Sequence, residues 1–270
     1  MGRYLLGGKE ARLPYEVEEL NLRLYTVEEL CYYIYNNLSL IEEDFIDERL
    51  LSFLRKELGQ TEIAEKIERF YVSPSDQDAT LLMLLSDVGY YSEQELKEFQ
   101  NRLVSRKRKN GPERILQKAD SLYAKKRYLK AVFYYRRIAL DKEDGRISAE
   151  LRSRAYESMA NAYGHLFAFE RASEALAEAY GENPQERLLK KIYDVSALSG
   201  EELPEKLFSK VPATLLSSWE QEFRSRAAMK RMQAEDREIM RSFFLEAPEA
   251  EKRLKDYVES EKEAFRTMVE

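Results

Sequence analysis

Two neighbouring segments decide the fold. Tyr156-Glu157-Ser158-Met159-Ala160-Asn161-Ala162-Tyr163 leads through a turn near Leu166-Phe167 into Phe169-Glu170-Arg171-Ala172-Ser173-Glu174-Ala175-Leu176, and Asn183-Pro184 closes the stretch. Upstream, Ile115-Leu116-Gln117-Lys118-Ala119-Asp120-Ser121-Leu122-Tyr123 turns at Lys125-Lys126-Arg127 into Tyr128-Leu129-Lys130-Ala131-Val132-Phe133-Tyr134-Tyr135. The segments superpose, with Ile115 on Tyr156, Ala119 on Ala160, Leu122 on Tyr163, Tyr128 on Phe169, Ala131 on Ala172 and Tyr135 on Leu176. Each predicts a helical hairpin. Alanine lets the two helices approach closely at the crossing, and the large residues beside it fill the space toward the next pair.

This arrangement resembles the tetratricopeptide repeat, whose pattern has a bulky opener, small residues at crossings, spaced aromatics and a closing proline. Tyr156, Met159, Ala160, Tyr163, Phe169, Ala172, Ala179 and Pro184 all match it. In the upstream unit Lys118 replaces a usual leucine and Ile138 a usual alanine, and no proline closes it. From Ala131 to Ala172 is 41 residues, against about 34 in the family. The extra seven fall between Asp141 and Arg154, which predicts an enlarged loop or a lengthened helix there. The resemblance covers residues 113–184. It implies an all-α, tetratricopeptide-like α-solenoid with a groove lined by the first helix of each repeat, here Leu116, Asp120, Tyr123, Glu157, Asn161 and His165. Relatives that grip chaperone C-termini use lysines, asparagines and an arginine on these faces, and only Asn161 fits, which argues against that ligand.

Downstream, Gln185 to Ala197 reads as one more first helix, followed by a short helix between Gly200 and Ser209. Two long helices then run from Ala213 to Glu246 and from Pro248 to Met268. Open stacks need a polar-faced end, so residues 213–270 read as capping helices. A dimerising coiled coil is the rival, but Arg226, Lys230, Gln233 and Arg237 stand at its would-be seam.

Upstream, residues 1–105 read as an N-terminal helical domain. Thr26 with Glu29 and Ser92 with Glu95 have capping-box spacing. Asp44 and Thr61 open further helices, and an apolar helix spans Thr80 to Val88 before Gly89. Tyr4-Leu5-Leu6 and Leu22-Arg23-Leu24-Tyr25 suggest a short β-hairpin within residues 1–25. Four successive like charges and Gly111-Pro112 mark 106–112 as a basic linker, leaving repeats over 113–212.

Composition agrees with helices: charged residues make up 35%, with only 10 glycines and 7 prolines in 270 residues. Net charge is −6, unevenly placed. Residues 1–90 hold 9 basic and 18 acidic side chains, whereas 91–140 hold 14 basic ones. Either the two regions dock on each other, or the basic one receives an acidic partner. The basic patch comprises Arg106, Lys107, Arg108, Lys109, Lys126 and Lys130, and its cations are interleaved with Tyr123, Tyr128, Tyr134 and Tyr135, a pattern compatible with single-stranded nucleic acid.

No catalytic, cofactor or metal constellation emerges. One cysteine, Cys31, and one histidine, His165, cannot assemble a zinc site. In Gly2-x4-Gly7-Gly8-Lys9 an extra glycine intrudes, and Glu10 stands where a phosphate loop needs Ser or Thr. Placing Gly145 at the turn of a calcium loop puts Leu140 and Leu151 at ligand positions. The cluster Glu42, Glu43, Asp44, Asp47 and Glu48 fits a helix start. A lone thiol, no apolar leader and no apolar run longer than Leu81 to Leu85 predict a cytoplasmic protein without a membrane span. The functional expectation is a non-catalytic scaffold or adaptor for a protein or peptide. Polyanion binding and a peptide-sensing regulator are the alternatives, and partner identity and oligomeric state stay open.

Overall fold

In the computed structural model the described residues are 9–71, 73 and 76–245, with side chains described through Met229. The chain is mostly helical and divides into two compact units, Met1–Glu202 and Leu203–Glu270. The strand expected at Tyr4-Leu6 and the helix expected at Pro248 to Met268 lie outside the described residues.

The first unit opens with a two-stranded antiparallel sheet, β1 (Tyr15–Val17) and β2 (Leu22–Leu24), Tyr15 facing Leu24 and Val17 facing Leu22. Asn21 turns the chain at φ 51°, a conformation its short polar side chain tolerates. Helix α1 (Val27–Asn36) starts at the expected capping box, with the Glu29 amide donating to Thr26 Oγ1 at 3.2 Å and the Thr26 amide to Glu29 Oε2 at 3.3 Å. It buries Leu30, Cys31, Tyr33 and Ile34. Helix α2 (Glu48–Ser52) begins one turn later than the Asp44 start expected, because Asp47 Oδ1 accepts the Leu50 amide at 2.8 Å and so supplies the cap. Helices α3 (Thr61–Phe70), α4 (Gln77–Val88) and α5 (Glu93–Lys107) follow.

The structure differs from expectation at 106–112. Helix α5 continues through Lys107, and α6 (Gly111–Ala124) starts at Gly111, capped by Asn110 with Glu113 and carrying Pro112 in its first turn. Proline suits that position because the first helical N–H groups need no partner within the helix. Only Arg108, Lys109 and Asn110 separate the two helices, and both belong to one compact unit.

Helices α7 (Tyr128–Ala139), α8 (Ala149–His165), α9 (Phe169–Glu182) and α10 (Glu186–Ser199) pack in succession, each on its predecessor, beginning with α7 on α6. Ala119, Ala131 and Ala172 are fully buried, and Ala160 is 3% exposed. The turns after α6 and α8 share one backbone design. Lys126 and Phe167 both adopt left-handed φ, 60° and 58°. The Arg127 amide reaches Leu122 O at 2.9 Å and the Ala168 amide reaches Tyr163 O at 3.0 Å, while Lys126 and Phe167 donate to Tyr123 O and Gly164 O. These are paired Schellman bonds, which satisfy the last carbonyls of a helix, and they recur at the same 41-residue spacing as the alanines. The additional length sits mainly in the Leu140–Ser148 connection, where Asp141 Oδ1 accepts the Glu143 and Asp144 amides and Ile147 is buried. In the second unit, α11 (Glu205–Phe208) precedes the long α12 (Ala213–Leu245), and Trp219 is buried.

A charged seam joins the N-terminal elements to α6 and α7. Lys118, only 7% exposed, pairs with Glu19 at 2.8 Å and with Glu42, and its ammonium lies 4.3 Å from the Tyr134 ring centroid. The Tyr134 hydroxyl donates to Glu19 Oε1 at 2.6 Å, and Lys130 lies 3.6 Å from Glu19. Arg127 donates to the Leu20 carbonyl, Arg114 pairs with Glu43 at 3.3 Å, and Arg106 donates to the Ile41 carbonyl at 2.7 Å. Of the two alternatives for the charge imbalance, docking within the chain accounts for these cations.

Burial pulls the Glu19 carboxyl upward, but hydrogen bonds from Lys118 and Tyr134 and the nearby ammonium charges outweigh it and hold it below its ordinary value. Burial likewise pulls Lys118 down, and its bonds to Glu19, Glu42 and Tyr134 overcome this and raise it. A lowered carboxyl stabilises above its unfolded pKa and is lost as pH falls through the folded one. A raised lysine stabilises below its unfolded pKa and is lost as pH rises through the folded one. The seam's contribution is therefore level between about pH 5 and pH 10 and declines outside that range. Lys118→Met leaves Glu19 facing an apolar side chain and is expected to destabilise the unit by about 3 kcal/mol, with Lys118→Met/Glu19→Gln recovering part of it. Urea unfolding of wild type and both variants measures this. Lys126→Gly and Phe167→Gly relieve left-handed strain and are each expected to stabilise by about 1 kcal/mol in the same assay.

Candidate partner-binding face

The first helices of the successive pairs, α6, α8 and α10, present side chains that link one helix to the next. On α6, Asp120 accepts the Tyr135 hydroxyl at 2.7 Å, which comes from α7, and Arg154 Nη2 at 3.1 Å, which comes from α8. On α8, Glu157 accepts Lys191 Nζ of α10 at 2.8 Å and also Arg187. Burial raises the Glu157 carboxyl, and the bonds from Arg187 and Lys191 outweigh that and set it below its usual range. Lys191 Nζ also reaches Asn161 Oδ1 at 3.5 Å. The result is a polar ladder across three helices, each acid meeting a base on the next one.

At one end of this ladder the aromatic groups gather. The His165 ring lies parallel to Tyr128, with centroids 4.5 Å apart and planes 4° apart, and His165 Nε2 is 3.0 Å from the Tyr123 hydroxyl. The only histidine thus holds the turn of the first hairpin against the end of α8. It is exposed, as is Asn161.

Five of the six groove residues expected from the sequence, Asp120, Tyr123, Glu157, Asn161 and His165, take part in these contacts. Leu116 does not. At 3% exposure it belongs to the core, because the helix turn that carries it faces inward with Ala119 and Leu122, which are both fully buried. Sequence reasoning missed Arg154, Arg187 and Lys191. A signal for two of them existed: Asp120 and Arg154, and Glu157 and Lys191, are each separated by 34 residues.

The expected basic patch is divided. Arg106 and Lys107 lie 3.7 and 3.8 Å from Asp78, Lys109 donates to Gln117 Oε1 at 2.8 Å, and Lys130 donates to the Glu18 carbonyl. Arg108 and Lys126 are exposed and make no ion pair among the described residues. Arg106 is half-buried rather than displayed, since it ties α5 to the chain around Ile41.

Among the described residues no group of three His, Cys, Asp or Glu side chains is placed to hold a metal ion. Cys31 is fully buried, and burial, helped by Glu28, pushes its thiol up to about 12, so it stays protonated and unreactive at neutral pH. Among the described residues no helix is long and apolar enough to cross a membrane. Comparison with models of known protein families gives no match to this sequence, and comparison with curated proteins gives none either.

Proposed function

We propose that this chain is a non-catalytic, cytoplasmic interaction scaffold. In this reading its tetratricopeptide-like hairpins form an α-solenoid that holds a protein or peptide segment along the faces of α6, α8 and α10. The observation that carries the reading is the repetition itself: buried alanines and identical turn bonds recur 41 residues apart. A repeated hairpin stacks its neighbours in one direction and leaves an extended face, which suits an extended ligand better than a compact one. The polar ladder supports it further. Cross-helix ion pairs fix the spacing between Asp120, Glu157 and Lys191, so that a partner meets a prearranged row of hydrogen-bonding groups and little ordering cost.

The polyanion alternative has weaker support. Arg106, Lys107, Lys118 and Lys130 are engaged by the chain's own carboxylates and carbonyls, and a cation already neutralised releases no counterion from nucleic acid. Tyr134 and Tyr135 are likewise committed, the former to Glu19 and the latter to Asp120.

The test is capture of partners from native cytosol, at low and moderate salt, with wild type, Asn161→Arg on the exposed part of α8, and Arg171→Glu on the exposed side of α9 as control. The expected outcome is a defined protein retained at moderate salt by wild type and the control, with affinity about tenfold lower for Asn161→Arg. Nucleic acid recovered equally by all three proteins and lost steeply with salt overturns the reading.

A further inference from the structure

A second site stands apart from the helical face, in the N-terminal part of the first unit. Beside the β1–β2 hairpin lies a cleft of about 340 Å³ walled by Tyr15, Tyr33 and Phe45. The rings support one another: Tyr15 and Phe45 meet edge to face with centroids 6.2 Å apart, and Tyr33 lies 6.0 Å from Phe45. Tyr33 is 3% exposed, and its hydroxyl makes no hydrogen bond among the described residues. Nor does that of Tyr15. Tyr33 lines the cleft with its hydroxyl unpaired, so that group is available to a ligand there.

The charge of the cleft specifies the ligand. Six carboxylates line it, against Arg49 and Lys130. Four of the six are engaged: Lys118 pairs with Glu19 and Glu42, Arg23 lies 3.3 Å from Glu16, and Asp47 caps α2. Glu18 and Asp44 have no ion pair or side-chain hydrogen bond among the described residues, and both are exposed at the cleft. These carboxylates are nevertheless not gathered tightly enough to hold a metal ion, since no cluster of three acids with that geometry occurs among the described residues. Dispersed negative charge around aromatic walls suits a cation that carries its own apolar stem. The walls already accept one: the Arg49 guanidinium lies 5.6 Å from the Tyr15 ring centroid.

We propose that this cleft binds a primary alkylammonium group, supplied by a free polyamine or by a lysine side chain. The cleft's carboxylates hold the ammonium, the methylene stem lies against the aromatic walls, and the Tyr33 hydroxyl accepts one of the ammonium hydrogen bonds. The volume fits this class, since it lies at the lower end of the roughly 300–1,000 Å³ range of small-molecule sites. Binding here is independent of the scaffold reading, because none of the cleft's residues belongs to α8 or α10.

Calorimetric titration of the full chain tests the proposal, with spermidine, doubly capped lysine and magnesium ion as three separate titrants. Saturable binding of spermidine is expected, with no competition by equimolar magnesium. Tyr33→Phe, which removes only the hydroxyl, and Asp44→Asn, which changes an exposed carboxylate, are each expected to weaken it by about tenfold. Glu170→Gln, exposed on α9, is expected to leave it unchanged. Spermidine binding without capped-lysine binding assigns the site to free polyamines, and binding of both assigns it to lysine side chains as well. Absence of saturable binding by either amine overturns the proposal, as does an affinity untouched by both Tyr33→Phe and Asp44→Asn, or equal displacement by magnesium. A thermal melt of Tyr33→Phe checks that its core is intact, and Asp44→Asn carries the test if it is not.

Discussion

Lys118 is the constraint on which the first unit depends. It stands on α6 and is buried as an apolar side chain would be, at 7% exposure. A charge cannot be buried alone, because removal from water costs several kcal/mol that only close counter-charges offset. Glu19 and Glu42 therefore have to lie beside it, and they come from two separate stretches of the N-terminal region. Once they are there, the Tyr134 hydroxyl donates to Glu19 and Lys130 adds a second ammonium charge 3.6 Å from it. Lys118 thus attaches the α6–α7 hairpin to the elements that precede it.

This explains why 106–112 reads as a boundary in the sequence and behaves as a joint in the structure. Runs of like charge separate segments only when water is their best solvent. Here carboxylates and carbonyls across the chain take that place: Asp78 faces Arg106 and Lys107, and the Ile41 carbonyl receives Arg106. Sequence reasoning raises docking between the acidic and basic regions but does not name the pairs that make it. Local signals were legible directly. The capping boxes at Thr26, Ser92 and Asn110 need only four consecutive residues, and the last is masked in the sequence by Gly111-Pro112, which reads as a break but forms a first turn.

The candidate face was legible to the same depth. The tetratricopeptide resemblance implies Asp120, Glu157 and Asn161 as groove residues on first helices. It misjudged Leu116, since a face one residue wide on a helix spans about 100°, and the inward turn begins within that margin. The bases that complete the ladder carry a sequence signal, a 34-residue step, that the alignment of the alanines does not follow. The alanines repeat every 41 residues, but the acid-to-base steps are 34. Between α6 and α8 the difference is seven residues, two helical turns, so Asp120 meets Arg154 two turns earlier on α8 than alignment of the alanines indicates. An alignment of equivalent positions pairs Asp120 with Asn161, not with its actual partner Arg154.

The net charge of −6 describes neither end of the first unit. Where the N-terminal acids and the α6–α7 bases meet, they cancel, and what remains uncancelled is left on opposite kinds of surface. On the acidic side the surplus faces an aromatic cleft through Glu18 and Asp44. On the basic side it lies on α7 and the turn before it, where no acid occurs between Lys125 and Leu140. There Arg136 and Arg137 are exposed beside Leu129 and Phe133, themselves 73% and 60% exposed. Cations set among exposed apolar side chains keep such a helix soluble while its other face packs.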